Sequence, residues 1–223
     1  MEPRLLICDL DGTLLDTLED IAAACNYALQ RLGQPTHRPD DFRQMVGDGA
    51  DVLVRRALPP DRQELADEAL RLFKDYYDQN AVVATSPYPG VPDLLDALAA
   101  RGVRLAVLTN KPQSATQIVV RRLLGRWEWV AIVGHREEFP KKPDPTAALA
   151  IARIAGVEAN QCALLGDSNV DMRTAVAAGM LPVGAGWGFR GRDELLASGA
   201  AVVLDTPCEL LERLTIRPAA ARA

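Results

Sequence analysis

The segment Asp9-Leu10-Asp11-Gly12-Thr13-Leu14 directly follows a short apolar run, Arg4-Leu5-Leu6-Ile7-Cys8. Two carboxylates at i and i+2 on an extended chain point the same way. Side by side they repel, and a nearby cation relieves the repulsion. Hard oxygen ligands of this kind suit Mg²⁺. A carboxylate is also a competent covalent nucleophile toward phosphorus. Gly12 lets the backbone turn sharply. Read as structure alone, the same residues would be a polar turn with an aspartate cap.

Three more clusters have chemistry to offer. Thr109-Asn110 follows the run VRLAVL and brings a hydroxyl and an amide, both able to donate to a phosphoryl oxygen. The alternative is a cap for a helix opened by Lys111-Pro112. Lys141-Lys142-Pro143-Asp144-Pro145 carries two ammonium groups in a chain that has 21 arginines and only 4 lysines. A third lysine, Lys111, lies beside Thr109-Asn110, so three of the four fall where strands are expected to end. Lysine is a compact point charge that can sit among carboxylates and a transferring phosphoryl group; otherwise this is a solvated basic loop. Gly166-Asp167-Ser168-Asn169-Val170-Asp171 follows the apolar run CALL. Asp167 leaves the strand end and Asp171 lies about one helical turn further on. One carboxylate can ligate a metal while the other holds a metal-bound water or the lysine; the plainer reading is a cap by Ser168 or Asp167.

Elements that could bring these clusters together are legible in the hydrophobic pattern. Residues 4–8 read as a buried parallel strand. Residues 17–80 read as helix after helix, beginning with one capped by Asp16 or Thr17 and stopped by Gly33 and Pro35. Pro87, Pro89, Gly90 and Pro92 mark a break. Beyond it, helices at 92–101, 113–124, 145–155 and 169–178 alternate with strands at 103–108, 129–133, 162–165, 181–184 and near 201–204. Such alternation predicts an α/β fold, a doubly wound parallel sheet covered on both faces, with the helical block inserted. The expected division is a Rossmann-like core of residues 1–16 and 84–223 and a helical cap of residues 17–83. In an open sheet of this kind ligands bind beyond the carboxyl ends of the strands, where all four clusters fall.

In order and spacing the four clusters resemble the four motifs of the haloacid dehalogenase-like superfamily, over nearly the whole chain. The resemblance implies Asp9 as nucleophile and Asp11 as general acid/base, with the Asp11 backbone carbonyl on Mg²⁺. It implies Thr109, Asn110 and Lys142 as phosphate-binding residues, Asp167 as a metal ligand beside Asp9, and Asp171 as ligand or support. The inserted helices resemble the cap of the subgroup that contains phosphoglycolate phosphatase. That implies a small phosphorylated metabolite as partner, 2-phosphoglycolate first, and a specificity loop at Gly47, Asp48 and Gly49. Phe42, Arg43 and Arg55 are further cap candidates. A phosphosugar phosphatase or mutase would use the same aspartates. A dehalogenase would not need Asp11, and a non-catalytic phospho-ligand binder would not need all four motifs.

Composition narrows the field further. Apolar residues at 48% and charged residues at 25% are ordinary for a soluble globular protein. A net charge of −5 argues against nucleic acid as partner. Cys8, Cys25, Cys162 and Cys208 form no C-x-x-C pair and are expected as reduced thiols. The opening apolar run is too short for a signal peptide or a membrane span, so a cytoplasmic protein with no membrane partner is expected. His37, His135, Trp127, Trp129 and Trp187 read as surface or packing residues, although Trp187 lies in a Gly-rich stretch, 184–191, that could line a site. The tail 217–223 is expected to fray.

Overall fold

The computed structural model describes residues 3–213, so the tail 217–223 lies outside the described residues. Strand β1 (Leu5–Cys8) leads through the two-residue strand β2 (Leu15–Asp16) into helix α1 (Leu18–Arg31). A 3-10 turn at Pro39–Gln44, helix α2 (Ala50–Ala57), a second 3-10 segment at Pro60–Leu65 and helix α3 (Ala66–Asn80) follow. Strand β3 (Ser86–Pro87) then returns the chain antiparallel to β2. From there helix and strand alternate through α4 (Val91–Ala100), β4 (Arg104–Pro112), α5 (Gln113–Leu123), β5 (Trp129–His135) and α6 (Thr146–Ala155). The series ends with β6 (Cys162–Gly166), α7 (Asn169–Ala178), β7 (Leu181–Ala185), α8 (Arg192–Ala197), β8 (Val202–Leu204) and α9 (Glu209–Arg213).

The main sheet runs in the order β5-β4-β1-β6-β7-β8, and every neighbouring pair is parallel. Side chains alternate between faces along each strand. Leu6, Cys8, Leu105, Val107, Ala163 and Leu165 face one apolar core, which continues into α1, α2 and α3. Leu5, Ile7, Ala106, Leu108, Cys162 and Leu164 face the other, packed by α6 and α7. Both faces are therefore buried, which is why these strands read as unbroken apolar runs. The chain leaves β1 toward β4 on one side and later returns to β6 on the other, so the order reverses at β1 and opens a crevice at its carboxyl end. Register puts Cys8 level with Val107 and with Leu165. The residues that follow in β1, β4 and β6 consequently emerge together.

Several elements differ from the sequence reading. Strand β4 does not stop at 108 but continues to Pro112, because β5 keeps pairing with it as far as Pro112 opposite His135. Thr109 and Asn110 are thus strand residues, and helix α5 is preceded by Pro112 instead. The small β2–β3 ribbon and helices α8 and α9 were not expected; each is too short to show a period. At the start of α1, Asp16 Oδ1 accepts from Leu18 N at 3.3 Å, while the Thr17 hydroxyl makes no cap bond. Cys8, Cys25 and Cys162 are buried free thiols and Cys208 is an exposed one. Among the described residues no helix is long and apolar enough to cross a membrane.

Candidate active site

Asp9 leaves β1 with its backbone N–H donating to Leu165 O at 2.9 Å, which fixes it between β1 and β6. Asp167 and Asp171 come from the turn after β6 and the first turn of α7. One oxygen from each of Asp9, Asp167 and Asp171 lies within 4.8 Å of the others, and all three residues are buried. A single ammonium stands among them. Lys142 Nζ is 2.8 Å from Asp9 Oδ1 and 2.6 Å from Asp171 Oδ1. Its contact with Asp9 lacks hydrogen-bond angles, so Asp9 Oδ1 is a buried oxygen with no hydrogen bond.

The electrostatics follow from burial. Asp9 is pushed up to about 7, first by desolvation, with Lys142 pulling down and Asp171 pushing up. Asp167 is raised well above the ordinary carboxylate range by burial, Asp171 and Asp9. Burial alone would depress the Lys142 ammonium, but Asp171 and Asp9 outweigh it and hold it above its usual value. Three carboxylates around one ammonium leave negative charge that a divalent cation would compensate. The all-oxygen donor set of three buried carboxylates, one of whose oxygens is ion-paired but accepts no hydrogen bond among the described residues, fits Mg²⁺.

Asp171 is the most constrained of the three. Its Oδ1 accepts from Lys142, and its Oδ2 accepts from Ser168 N at 3.1 Å and Ser168 Oγ at 2.6 Å. Ser168 is thus the cap of α7, Asp171 closes the capping box with it, and the same Asp171 carboxylate holds the lysine. Asp167 Oδ2 accepts from Phe189 N at 2.7 Å. Gly12 has φ +83°, and a Cβ there would stand 2.3 Å from Asp167 Oδ2, so only glycine allows the carboxylate this close.

Asn110 was expected to donate to a phosphoryl oxygen, but its side chain has other work. Its Nδ2 donates to Gly47 O at 3.0 Å and Lys142 O at 3.1 Å. Its Oδ1 accepts from Lys142 N at 2.9 Å. The amide thus ties the lysine loop to the helical block. Thr109 lines the cavity beside Asp9, with its Oγ1 accepting from Lys111 N at 3.3 Å. Asp11 also lines the cavity, and Lys111 Nζ stands 2.9 and 3.0 Å from its two oxygens. Lys141 pairs with Asp51. Lys74, the remaining lysine, sits on α3 at the cavity wall and is exposed.

The cavity above Asp9 has a volume of about 150 Å³. Gly47 and Gly49 line it, together with Phe73 and Tyr77 from α3. Asp48 does not; it pairs with Arg56 at 2.6 Å, away from the cavity. Phe42 is fully buried, Arg43 lies over Phe189 and Arg55 pairs with Asp67, so none of these three reaches it. The Gly-rich stretch, in contrast, is part of the site. Trp187 Nε1 donates to Thr13 O at 2.9 Å, Phe189 holds Asp167, and Arg190 Nη2 donates to the carbonyls of Gln44 and Val46 at 3.0 and 3.2 Å. Its glycine content was the only signal in the sequence. Nothing local marked Tyr77.

Residues 3–179 match the haloacid dehalogenase-like hydrolase family. A phosphoglycolate phosphatase of Pseudomonas putida is 39% identical over 211 residues, 91% of this chain and 76% of that protein. One from Aquifex aeolicus is 33% identical over 186 residues, 83% of this chain and 86% of its own. Among solved structures, a candidate phosphoglycolate phosphatase from Lactobacillus delbrueckii superposes with a TM-score of 0.88 at 31% identity, over 94% of this chain and 97% of that one. Motifs, sheet and relatives agree that the chain belongs to the haloacid dehalogenase-like hydrolase family.

Proposed function

We propose that this phosphomonoester hydrolase is a Mg²⁺-dependent phosphatase of a small substrate, 2-phosphoglycolate first, acting through a phospho-aspartate on Asp9. The observation that carries the reading is the buried triad of Asp9, Asp167 and Asp171 around the Lys142 ammonium. Asp9, Asp167 and the backbone carbonyl of Asp11 would hold Mg²⁺, with Asp171 kept for Lys142 and Ser168. When bound, the ion neutralises charge on the carboxylates and on the phosphoryl oxygens. Asp9 attacks phosphorus as the ester bond breaks, and Asp11 gives its proton to the departing alkoxide. Asp11 then takes a proton from water, which hydrolyses the phospho-aspartate. Lys142 steadies Asp9 and the transferred group, and Thr109 offers its hydroxyl.

Residues 17–83 act in this reading as a cap that excludes water and sees the part of the substrate the core cannot. A cavity of about 150 Å³ suits a small phosphomonoester. The names of the relatives support 2-phosphoglycolate. The N-terminus of α2 in the cavity wall favours an anionic substrate.

The test is release of inorganic phosphate from 2-phosphoglycolate and from p-nitrophenyl phosphate, with Mg²⁺ and with a chelator. Turnover is expected only with the metal. Asp9→Asn, nearly isosteric, should reduce release to background with an unchanged far-UV circular dichroism spectrum. Substantial turnover by a homogeneous Asp9→Asn preparation would end the covalent reading.

A further inference from the structure

Lys111 is buried at the end of β4, and no role in the reaction has yet fallen to it. Its Nζ reaches both oxygens of Asp11, at 2.9 and 3.0 Å. The two contacts together hold the plane of the carboxyl group, because rotation about its Cβ–Cγ bond would lengthen them. The ammonium is also in contact with the helical block. The Tyr77 ring, on α3, lies 4.4 Å from Nζ, within cation–π distance. Tyr77 in turn stacks on Phe73, with ring centroids 5.5 Å apart and planes 9° apart. The Tyr77 hydroxyl is buried without a hydrogen-bond partner, so the ring face, not the phenol oxygen, makes the contact. Burial alone would depress the Lys111 ammonium; the Asp11 carboxylate more than offsets it, and it stays charged.

We infer that Lys111 and Tyr77 form a two-part clamp that positions Asp11 for proton transfer to the leaving oxygen. One half comes from the sheet and the other from the helical block, so the acid is set only while the two are together. Lys111 keeps its own protons throughout. The Asp9 Oδ–P bond forms as the P–O ester bond breaks; Asp11, which takes up a proton from solvent before the step, gives it to the departing oxygen. This rests on the proposed role of Asp11 and adds two positioning residues to it.

A residue that acts through the general acid has a signature that a phosphate-binding or merely structural residue lacks. An alkoxide leaving group needs the proton, whereas p-nitrophenolate scarcely does. Lys111→Met is therefore expected to lower kcat/KM roughly 100-fold on 2-phosphoglycolate but only about 3-fold on p-nitrophenyl phosphate. The activity on the aryl ester also shows that the variant is folded. Tyr77→Leu should give the same selective loss, weaker at roughly 10-fold, and Tyr77→Phe, which keeps the ring, should recover most of it. If Lys111→Met does not fold, the Tyr77 pair decides the matter by itself. Equal losses on both esters, or none on either, would overturn the clamp. Asp11→Asn run alongside separates the two readings. If it shows no leaving-group dependence, the acid role of Asp11 falls and the clamp with it. If it does and the Lys111 and Tyr77 variants do not, the clamp alone is wrong.

Discussion

Among the described residues Asp167 has no positive partner of its own, since the Lys142 ammonium is taken by Asp9 and Asp171. Burial beside two other carboxylates makes its charge costly in the metal-free protein. Mg²⁺ should therefore stabilise the fold as well as permit turnover. At a hundredfold excess over Kd the gain is about 2.7 kcal/mol, or roughly 5–10 °C in Tm for a chain of this size. Asp167→Asn is expected to raise the Tm of the metal-free protein and to abolish the Mg²⁺ response. A thermal melt with and without the ion reads both. At this scale the sequence was most legible where chemistry is local. Asp9 and Asp11 follow β1 and Asp167 follows β6, strands that can be read from their apolar runs. The contact of Asn110 with Gly47, 63 residues away, was not legible, because no local pattern carries it.

At the scale of elements, Asp20 shows how the helical block is tied down. Its carboxylate, on the first turn of α1, accepts from the backbone of Val83 and Ala84 and from both N–H and hydroxyl of Thr85, the last at 2.6 Å. Burial would raise it, but these donors outweigh burial and hold it below the usual carboxylate value. A depressed folded value means stability that is present above the unfolded pKa of about 3.9 and lost as pH falls through the folded one. Asp20→Ala should cost roughly 3 kcal/mol at pH 7, because several donors lose their partner together. The gap to the parent protein should shrink as pH is lowered below about 4; chemical denaturation at the two pH values measures it. The loop ahead of α2 is a second such element. Gly49 has φ +97°, and a Cβ there would stand 2.9 Å from Lys141 Nζ. Gly49→Val adds strain of about 1–3 kcal/mol to the cavity wall. It should cost roughly tenfold or more in kcat/KM on 2-phosphoglycolate and far less on p-nitrophenyl phosphate. Equal effects would make the loop a simple turn. The alternating helices and strands were readable because each is long enough to show its period. The β2–β3 ribbon was not, with two residues a side and a proline in one of them.

Across the whole molecule, one apolar core runs from the sheet into the helical block without interruption. Polar ties bridge the same boundary: Asn110 to Gly47, Arg190 to Gln44 and Val46, and Lys141 to Asp51. These contacts join residues far apart in the chain, which is why no local pattern in the sequence carries them. The distribution of lysine has a practical consequence. Lys111 and Lys142 are buried, Lys141 is partly covered and engaged in an ion pair, and only Lys74 is exposed, at the edge of the cavity. The abundant surface cations are arginines, which amine-directed reagents leave alone. Among the lysines, a limiting dose of an acylating dye should therefore mark Lys74 first, with the α-amino group as the competing amine, and a bound substrate should shield the lysine but not the α-amine. Lys74 is thus the lysine placed to carry a fluorophore where occupancy of the cavity would change its signal.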